Sequence, residues 1–275
     1  MKQKILTGLG WALFLLLLAG VCYKSNPTIS KGGESVRVIC MNTKEDADAT
    51  LIYHEGAAVM IDTGTKEDAE HIMEMLKRCN VEKLDYMILS HGDSDHIGGA
   101  AQILESIPVT YVVESGYEKA DEEMEELNRL LEQKGIPVLY PVHTQHLRAG
   151  EIQLLVYPPL EKNYRDSNNY SLAVLAKHGN VNMMFAGDAL KKRTEELLLI
   201  DWPKIDLYKV AHHGRGNVMT EELFDRLKPE YAVVTANQAD EQILRAAERN
   251  GTAVFYTGER DVIFQSDGKK LNVED

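Results

Sequence analysis

The sequence predicts an α/β domain of mixed sheets covered by helices. Three observations carry that expectation. From about residue 35, short apolar runs alternate with amphipathic stretches of helical period. Some runs are joined by tight polar turns, "HEGA" at 54–57, "KHGNVN" at 177–182 and "GERD" at 258–261, which read as hairpins. Others are followed by a helical stretch, the pattern of strand–helix units. No repeat and no shift of composition interrupts residues 35–275, so they read as one domain.

The elements follow in order. Strands are expected at 35–41, 50–54, 57–61, 84–90, 109–114, 136–140, 152–157, 171–177, 182–186, 206–210, 231–234, 252–256 and 261–265. Helices are expected at 66–79, 96–106, 118–134, 190–199, 220–228 and 239–250. In "EKADEEMEELNRLLEQK" (118–134), Met124, Leu127, Leu130 and Leu131 fall at helical spacing among charges. That stretch reads as a solvated amphipathic helix rather than a functional acidic tract.

The N-terminus is a separate segment. "MKQK" is basic and "ILTGLGWALFLLLLAGVCY" (5–23) is apolar and uncharged. Residues 1–24 therefore read as a signal peptide or a transmembrane anchor, and "SNPTISKGGE" (25–34) as a linker. Lys2 and Lys4 on the inner side export the rest of the chain, which is then either anchored facing outward or secreted. A single apolar segment builds no pore, so transport by this chain alone is excluded. Cys40 and Cys79 lie in the exported part and read either as a disulfide or as two buried thiols.

The formal charge of −13 excludes non-specific nucleic-acid binding over the whole surface, because phosphate would be repelled. A local cationic site for a phosphate ester is still allowed.

The chemistry concentrates in "LSHGDSDHIGG" (89–99). A buried strand, "LDYMIL", ends there, and two histidines and two aspartates follow within six positions before a glycine pair. Imidazole and carboxylate are ligands for zinc and for harder divalent ions. His91, Asp93, Asp95 and His96 alternate so that they turn in two directions, which suits two neighbouring ions. Gly92, Gly98 and Gly99 allow tight backbone turns and close approach.

"HGDSDHIGG" resembles the H-x-(H/D)-x-D-H signature of the metallo-β-lactamase-like hydrolases. Its Asp at the third position, followed by "IGG", is similar to the hydrolase domain of the ComEC family of competence DNA-uptake proteins. "MIDTG" (60–64), "NNYSLAVLAKHGNVNMMFAGDA" (168–189), "LYKVAHHGRGN" (207–217) and "KPEYAVVTAN" (228–237) resemble further family motifs in the same order. The resemblance implies a four-layer αββα sandwich with two divalent ions at one edge, zinc first, manganese or magnesium as alternatives. It places His91 and Asp93 in one site, Asp95 and His96 in the other, Asp188 between them, and His213 in the second site. Asp95, His212 and Asn168 become candidate catalytic residues, and Ser171, Lys209 and Arg215 candidate substrate contacts. Asp62 either orients ligands from outside the ring or only holds the "DTGT" turn. Arg215, where the family motif has Ser, either meets a phosphate or is a surface residue. His54, His71, His143, His146 and His178 match no motif and read as structural or surface residues.

Metallo-β-lactamases proper have a second His where Asp93 stands and a third near Asn168, so β-lactam hydrolysis is not expected. The expected function is a metal-dependent hydrolase, a phosphodiesterase or nuclease using hydroxide formed at the ions. The partners are then a phosphodiester, DNA among them, and the membrane through the N-terminal segment; no protein partner is evident. Hydrolysis of a small ester (a phosphocholine ester or lactone) and a non-catalytic accessory role are the alternatives.

Overall fold

The computed structural model describes residues 35–274 apart from 118 and 120. The expected signal or anchor segment and its linker lie outside the described residues. Among the described residues, no helix is long and apolar enough to cross a membrane.

The first half of the domain runs β1 (Val36–Cys40), β2 (Ala49–His54), β3 (Ala57–Thr63), α1 (Ala69–Arg78), β4 (Leu84–Ile88), α2 (Ser94–Ile97), α3 (Ala100–Ser106), β5 (Val109–Val113), α4 (Glu122–Lys134) and β6 (Val138–Leu139). The second half runs β7 (Gln145–Ala149), β8 (Ile152–Tyr157), β9 (Ala173–His178), β10 (Val181–Phe185), α5 (Lys191–Leu198), β11 (Leu207–Lys209), α6 (Thr220–Leu227), β12 (Tyr231–Val234), α7 (Glu241–Asn250), β13 (Ala253–Tyr256), β14 (Val262–Ser266) and β15 (Leu271–Glu274).

These strands form two mixed sheets, ordered β15-β14-β1-β2-β3-β4-β5-β6 and β13-β12-β11-β10-β9-β8-β7. The turns at 54–57 and 177–182 close antiparallel hairpins, β2–β3 and β9–β10, as expected. The turn at 258–261 does not. β13 lies parallel to β12 in one sheet, whereas β14 pairs antiparallel with β1 in the other. "GERD" is therefore a crossover between sheets. Asn42 secures it, donating Nδ2–H to the Thr257 carbonyl at 2.6 Å and its backbone N–H to Asp261 Oδ1 at 2.9 Å.

Strand alternation explains the layers. Inward residues of the first sheet, Val38, Ile52, Val59 and Ile61, meet Leu154, Val174, Met183 and Phe185 of the second in one buried cluster. The outer face of the first sheet is covered by Ile72, Leu76, Ile103, Leu127 and Leu131 from the helices. Phe224, Ile243 and Ala246 cover the second. The result is helix–sheet–sheet–helix.

Local signals set the helix ends. Asp121 caps α4 by accepting the Met124 N–H at 3.1 Å, three glutamates occupy the first turn, and Gly135 ends the helix at φ 64°. Met124, Leu127, Leu130 and Leu131 are the buried stripe. The helix expected at 96–106 is divided at Gly98–Gly99, because the Thr63–Thr65 backbone passes against it: a Cβ on Gly99 would lie 2.3 Å from the Thr63 carbonyl oxygen. Two strands went unread, β7 "QHLRA" and β15 "LNVE". Both are sheet edges, where polar residues face water and the apolar alternation fades.

Phe264 is fully buried and contacts Tyr231 and Phe255 at ring-centre distances of 5.6 and 5.7 Å. Phe264→Ala should lower stability by about 3–5 kcal/mol. Urea unfolding of the metal-stripped protein checks this, with unchanged stability as the contrary result.

Candidate metal centre

The site lies where strand ends of both sheets meet. β3 ends in Asp62 and Thr63, and the loop after β4 carries Ser90 and His91. Asp62 ties the two together: Oδ1 accepts the Ser90 N–H at 2.7 Å and Oδ2 accepts the Ser90 hydroxyl at 2.8 Å. The same Oδ2 lies 2.9 Å from His96 Nδ1. That contact turns His96 Nε2 the other way, toward Asp188 Oδ1 at 3.3 Å and Asp95 Oδ2 at 3.7 Å. Asp62 thus orients the His96 ring.

The second sheet mirrors this device. β10 ends before Gly187 and Asp188, and β11 before the turn holding His212 and His213. Asp48, which precedes β2, places Oδ1 3.0 Å from His213 Nδ1 and accepts the Thr235 hydroxyl there at 2.6 Å. His213 Nε2 therefore faces Asp188 Oδ2 at 3.1 Å and Asp95 Oδ2 at 3.2 Å. His213 is 1% exposed at its side chain and His212 24%, with His212 Nε2 4.0 Å from Asp188. His213 is thus turned into the ring and His212 stands at the rim.

His91 and Asp93 form the other flank. His91 Nε2 is 3.4 Å from Asp93 Oδ2, and its ring centre is 4.2 Å from that of His96. Asn168 reaches in from the turn before β9, donating Nδ2–H to Asp188 Oδ2 at 3.3 Å. Asp188 thus touches His96, His213 and Asn168. It does not cap α5, whose N-cap position is Leu190.

Two expected substrate contacts need correction. Lys209 is 2% exposed, and its ammonium pairs with Asp48. Ser171 is fully buried; its hydroxyl donates to the Asn168 carbonyl at 2.7 Å and accepts the Asp188 N–H at 3.0 Å. Both are buried behind the ring rather than open to a substrate. Arg215 is exposed at the rim and pairs with Asp46 at 3.2 Å.

The electrostatics follow from burying carboxylates together. Burial opposes charge on His96, but Asp188 and Asp62 outweigh it and hold its pKa well above the usual value. Burial likewise opposes charging of His213, and Asp48 and Asp188 raise its pKa to about 10. Burial opposes the Asp188 carboxylate too, yet His96 and His213 carry its pKa well below the ordinary range. His212 moves the other way: burial lowers its pKa, which favours the neutral ring at pH 7.

The donor set fits divalent cations. Asp48, His96, Asp188 and His213 offer ligand atoms that all lie within 4.8 Å of one another. Asp48 is committed to Lys209, Thr235 and His213 Nδ1, so the atoms that converge freely belong to Asp95, His96, Asp188 and His213, with His91 and Asp93 beside them. Among the described residues, His91 Nε2, His96 Nε2 and Asp188 Oδ1 are buried without a hydrogen-bond partner. Orphaned acceptors in a cluster are costly unless a further group satisfies them, and nitrogen and carboxylate oxygen are the ligands such ions take. Asp48 escaped the sequence reading. "EDADATLIY" has no ligand spacing, and an acid ahead of a strand carries no signal until β11 and β12 come beside it.

Comparison with known proteins agrees with this architecture. The sequence profile of the metallo-beta-lactamase superfamily matches residues 42–236. The chain is 25% identical over 237 residues to ComE operon protein 3 of Bacillus subtilis, covering 76% of this chain and 30% of that protein. It is 28% identical over 242 residues to competence protein ComA of Neisseria gonorrhoeae, covering 85% and 31%. The chain thus spans under a third of these relatives. The fold of YhfI, a metallo-beta-lactamase fold protein from Bacillus subtilis, superposes with a TM-score of 0.60 at 13% identity, covering 85% of this chain and all of that one.

Two substitutions test the ring. Asp188→Ala should weaken metal binding by more than about 100-fold while circular dichroism stays native, since even partners behind a ligand are worth about 10–100-fold. Retained metal, measured by elemental analysis, would contradict the arrangement. Asp48→Asn leaves the Lys209 ammonium buried beside a neutral amide and should cost about 3–5 kcal/mol. Adding Lys209→Met should recover a large part of that loss in urea unfolding; no recovery would mean the pair is not coupled.

Proposed function

The chain belongs to the metallo-beta-lactamase superfamily, and on that premise we propose that it is a divalent-metal-dependent phosphodiesterase acting on DNA. The observation that carries this reading is the carboxylate-rich ring. Asp93, Asp95 and Asp188 face the space between His91, His96 and His213, and Asn168 stands where a lactamase has histidine. Hard oxygen donors in that proportion suit ions that also grip phosphoryl oxygens. The competence relatives support DNA as the polymer that presents the phosphodiester.

Divalent cations bound there supply Lewis-acid activation of water and of the scissile centre. The chain's own residues do the rest. Asp62 and Asp48 fix the Nδ1 side of His96 and His213, so both rings present Nε2 inward without searching. Asp188 stands between His96 and His213. Asn168 is half-buried at the mouth, with an amide able to donate to charge developing on a phosphoryl oxygen. His212, kept neutral by burial, offers a ring N–H at the same rim.

Lys2 and Lys4 beside the apolar N-terminal segment support placing this site outside the cell membrane, anchored or released. A second reading, hydrolysis of a small ester such as a phosphocholine ester or a lactone, is favoured by the formal charge of −13, which disfavours a long polyanion.

The test strips the protein of metal and adds back zinc, manganese or magnesium. Bis-p-nitrophenyl phosphate and single-stranded DNA should both be cleaved only after addition. Cleavage of small esters alone would install the second reading. Silence toward every ester with metal bound would leave an accessory protein.

A further inference from the structure

Two loops from different sheets meet over the His91 flank. One joins β5 to α4 and carries Tyr117 and Lys119. The other is the turn Ser167–Tyr170 ahead of β9. Tyr117 and Tyr170 stack face to face, with ring centres 3.9 Å apart and planes 9° from parallel. Tyr164 sets its edge against Tyr170 at 4.9 Å. Beside this stack, Lys119 Nζ lies 3.1 Å from Asp93 Oδ1, while the Ser167 hydroxyl donates to Asp93 Oδ2 at 3.0 Å. Asp121, 3.3 Å away, is the second carboxylate of Lys119. The Lys119 side chain is 38% exposed, in contrast to 3% for Lys209, so Lys119 is the lysine beside the ring that solvent reaches.

We propose that Lys119 is a substrate-binding residue that takes a non-bridging phosphate oxygen of a nucleic-acid strand, and that the Tyr117–Tyr170 stack positions it. The proposal rests on the phosphodiesterase reading above. Its argument is electrostatic. The open side of the ring is walled by Asp93 and Asp95, 21% and 33% exposed, within a strongly acidic chain. A polyanion enters such a mouth where cations meet it. Arg215 is one, on the His212 side, held by Asp46. Lys119 is its counterpart on the His91 side. When Asp93 shares its charge with a bound cation, the ammonium keeps Asp121 and has N–H donors left over for an anion. The ion pair with Asp121 keeps the long side chain from dispersing, which lowers the entropy lost on binding.

The test uses the full chain, metal-loaded, as Lys119→Met and Lys119→Arg beside wild type. The probes are a fluorescent single-stranded phosphorothioate oligonucleotide titrated at several salt concentrations, bis-p-nitrophenyl phosphate turnover, and metal content. For Lys119→Met, oligonucleotide affinity should fall about fivefold to tenfold, and the salt slope should shrink by about 0.7, one phosphate contact on a single strand. KM should rise with kcat and metal content unchanged, and Lys119→Arg should restore most of the affinity. Unchanged affinity and slope would overturn the proposal, as would absent binding by wild type. So would loss of metal in Lys119→Met, since the lysine would then act through Asp93. A wild type that binds with the expected slope but cleaves no phosphodiester would sink the phosphodiesterase reading and leave the contact standing.

Discussion

The constraint behind this structure is the burial of several carboxylates at one meeting edge of two sheets. Asp48, Asp62 and Asp188 are each at most 4% exposed. Carboxylates so placed must be neutralised or bonded. The surroundings answer that demand residue by residue. Asp62 takes a backbone N–H, a hydroxyl and an imidazole; Asp48 takes a buried ammonium, a hydroxyl and an imidazole. Asp188 Oδ2 takes the His213 imidazole and the Asn168 amide, while Oδ1 faces His96 Nε2 at 3.3 Å without a hydrogen bond. The two fully engaged carboxylates hold the ring, and the incompletely engaged one faces its centre. That difference separates Asp48 and Asp62 from Asp188 more clearly than residue type does.

Holding the ring has a backbone cost. Asp62, His212 and His213 all have positive φ, 55°, 52° and 54°, a region that side chains with a Cβ rarely adopt. Each such residue stores about 1–3 kcal/mol when the surroundings force it. Asp62 lies at the end of β3 and the histidine pair in the turn after β11, where the hydrogen bonds of Asp62 and Asp48 hold them against the ring. Gly99 serves the same end by absence of bulk, letting the helical segment after His96 lie against the Thr63 carbonyl.

The mouth is built differently, from loops. Arg193 is 1% exposed and donates to the Ser171 and Tyr157 carbonyls at 2.8 and 2.6 Å and to Glu196 at 2.7 Å. Glu196 in turn accepts from Tyr164 and from the Leu160 N–H. This hub pins the segment before β9, which carries Asn168 and Tyr170, to α5. Placement of rim groups on braced loops around a strand-held ring lets substrate contacts vary without disturbing the ligands.

The sequence by itself determined the layered α/β architecture and most of the ring. Apolar period separates strand from helix locally, and His91, Asp93, Asp95 and His96 sit within six positions, so their chemistry is visible without a fold. Asp188 and His213 were singled out only through the resemblance of their motifs to the metallo-β-lactamase-like hydrolases. What only the tertiary structure decided was everything that depends on residues far apart in the chain. Asp48 becomes the partner of His213 and Lys209 across more than 160 residues of sequence. Lys209 and Ser171 read as substrate contacts but became supports, because burial is set by the opposing sheet. "GERD" read as a hairpin but joins two sheets, because the partner strands β12 and β1 are chosen by long-range pairing. Lys119 was unreadable as part of the site until Tyr117 and Tyr170 brought two loops together. Local chemistry is written in spacing, whereas direction, burial and pairing arise only when distant segments compete for the same space.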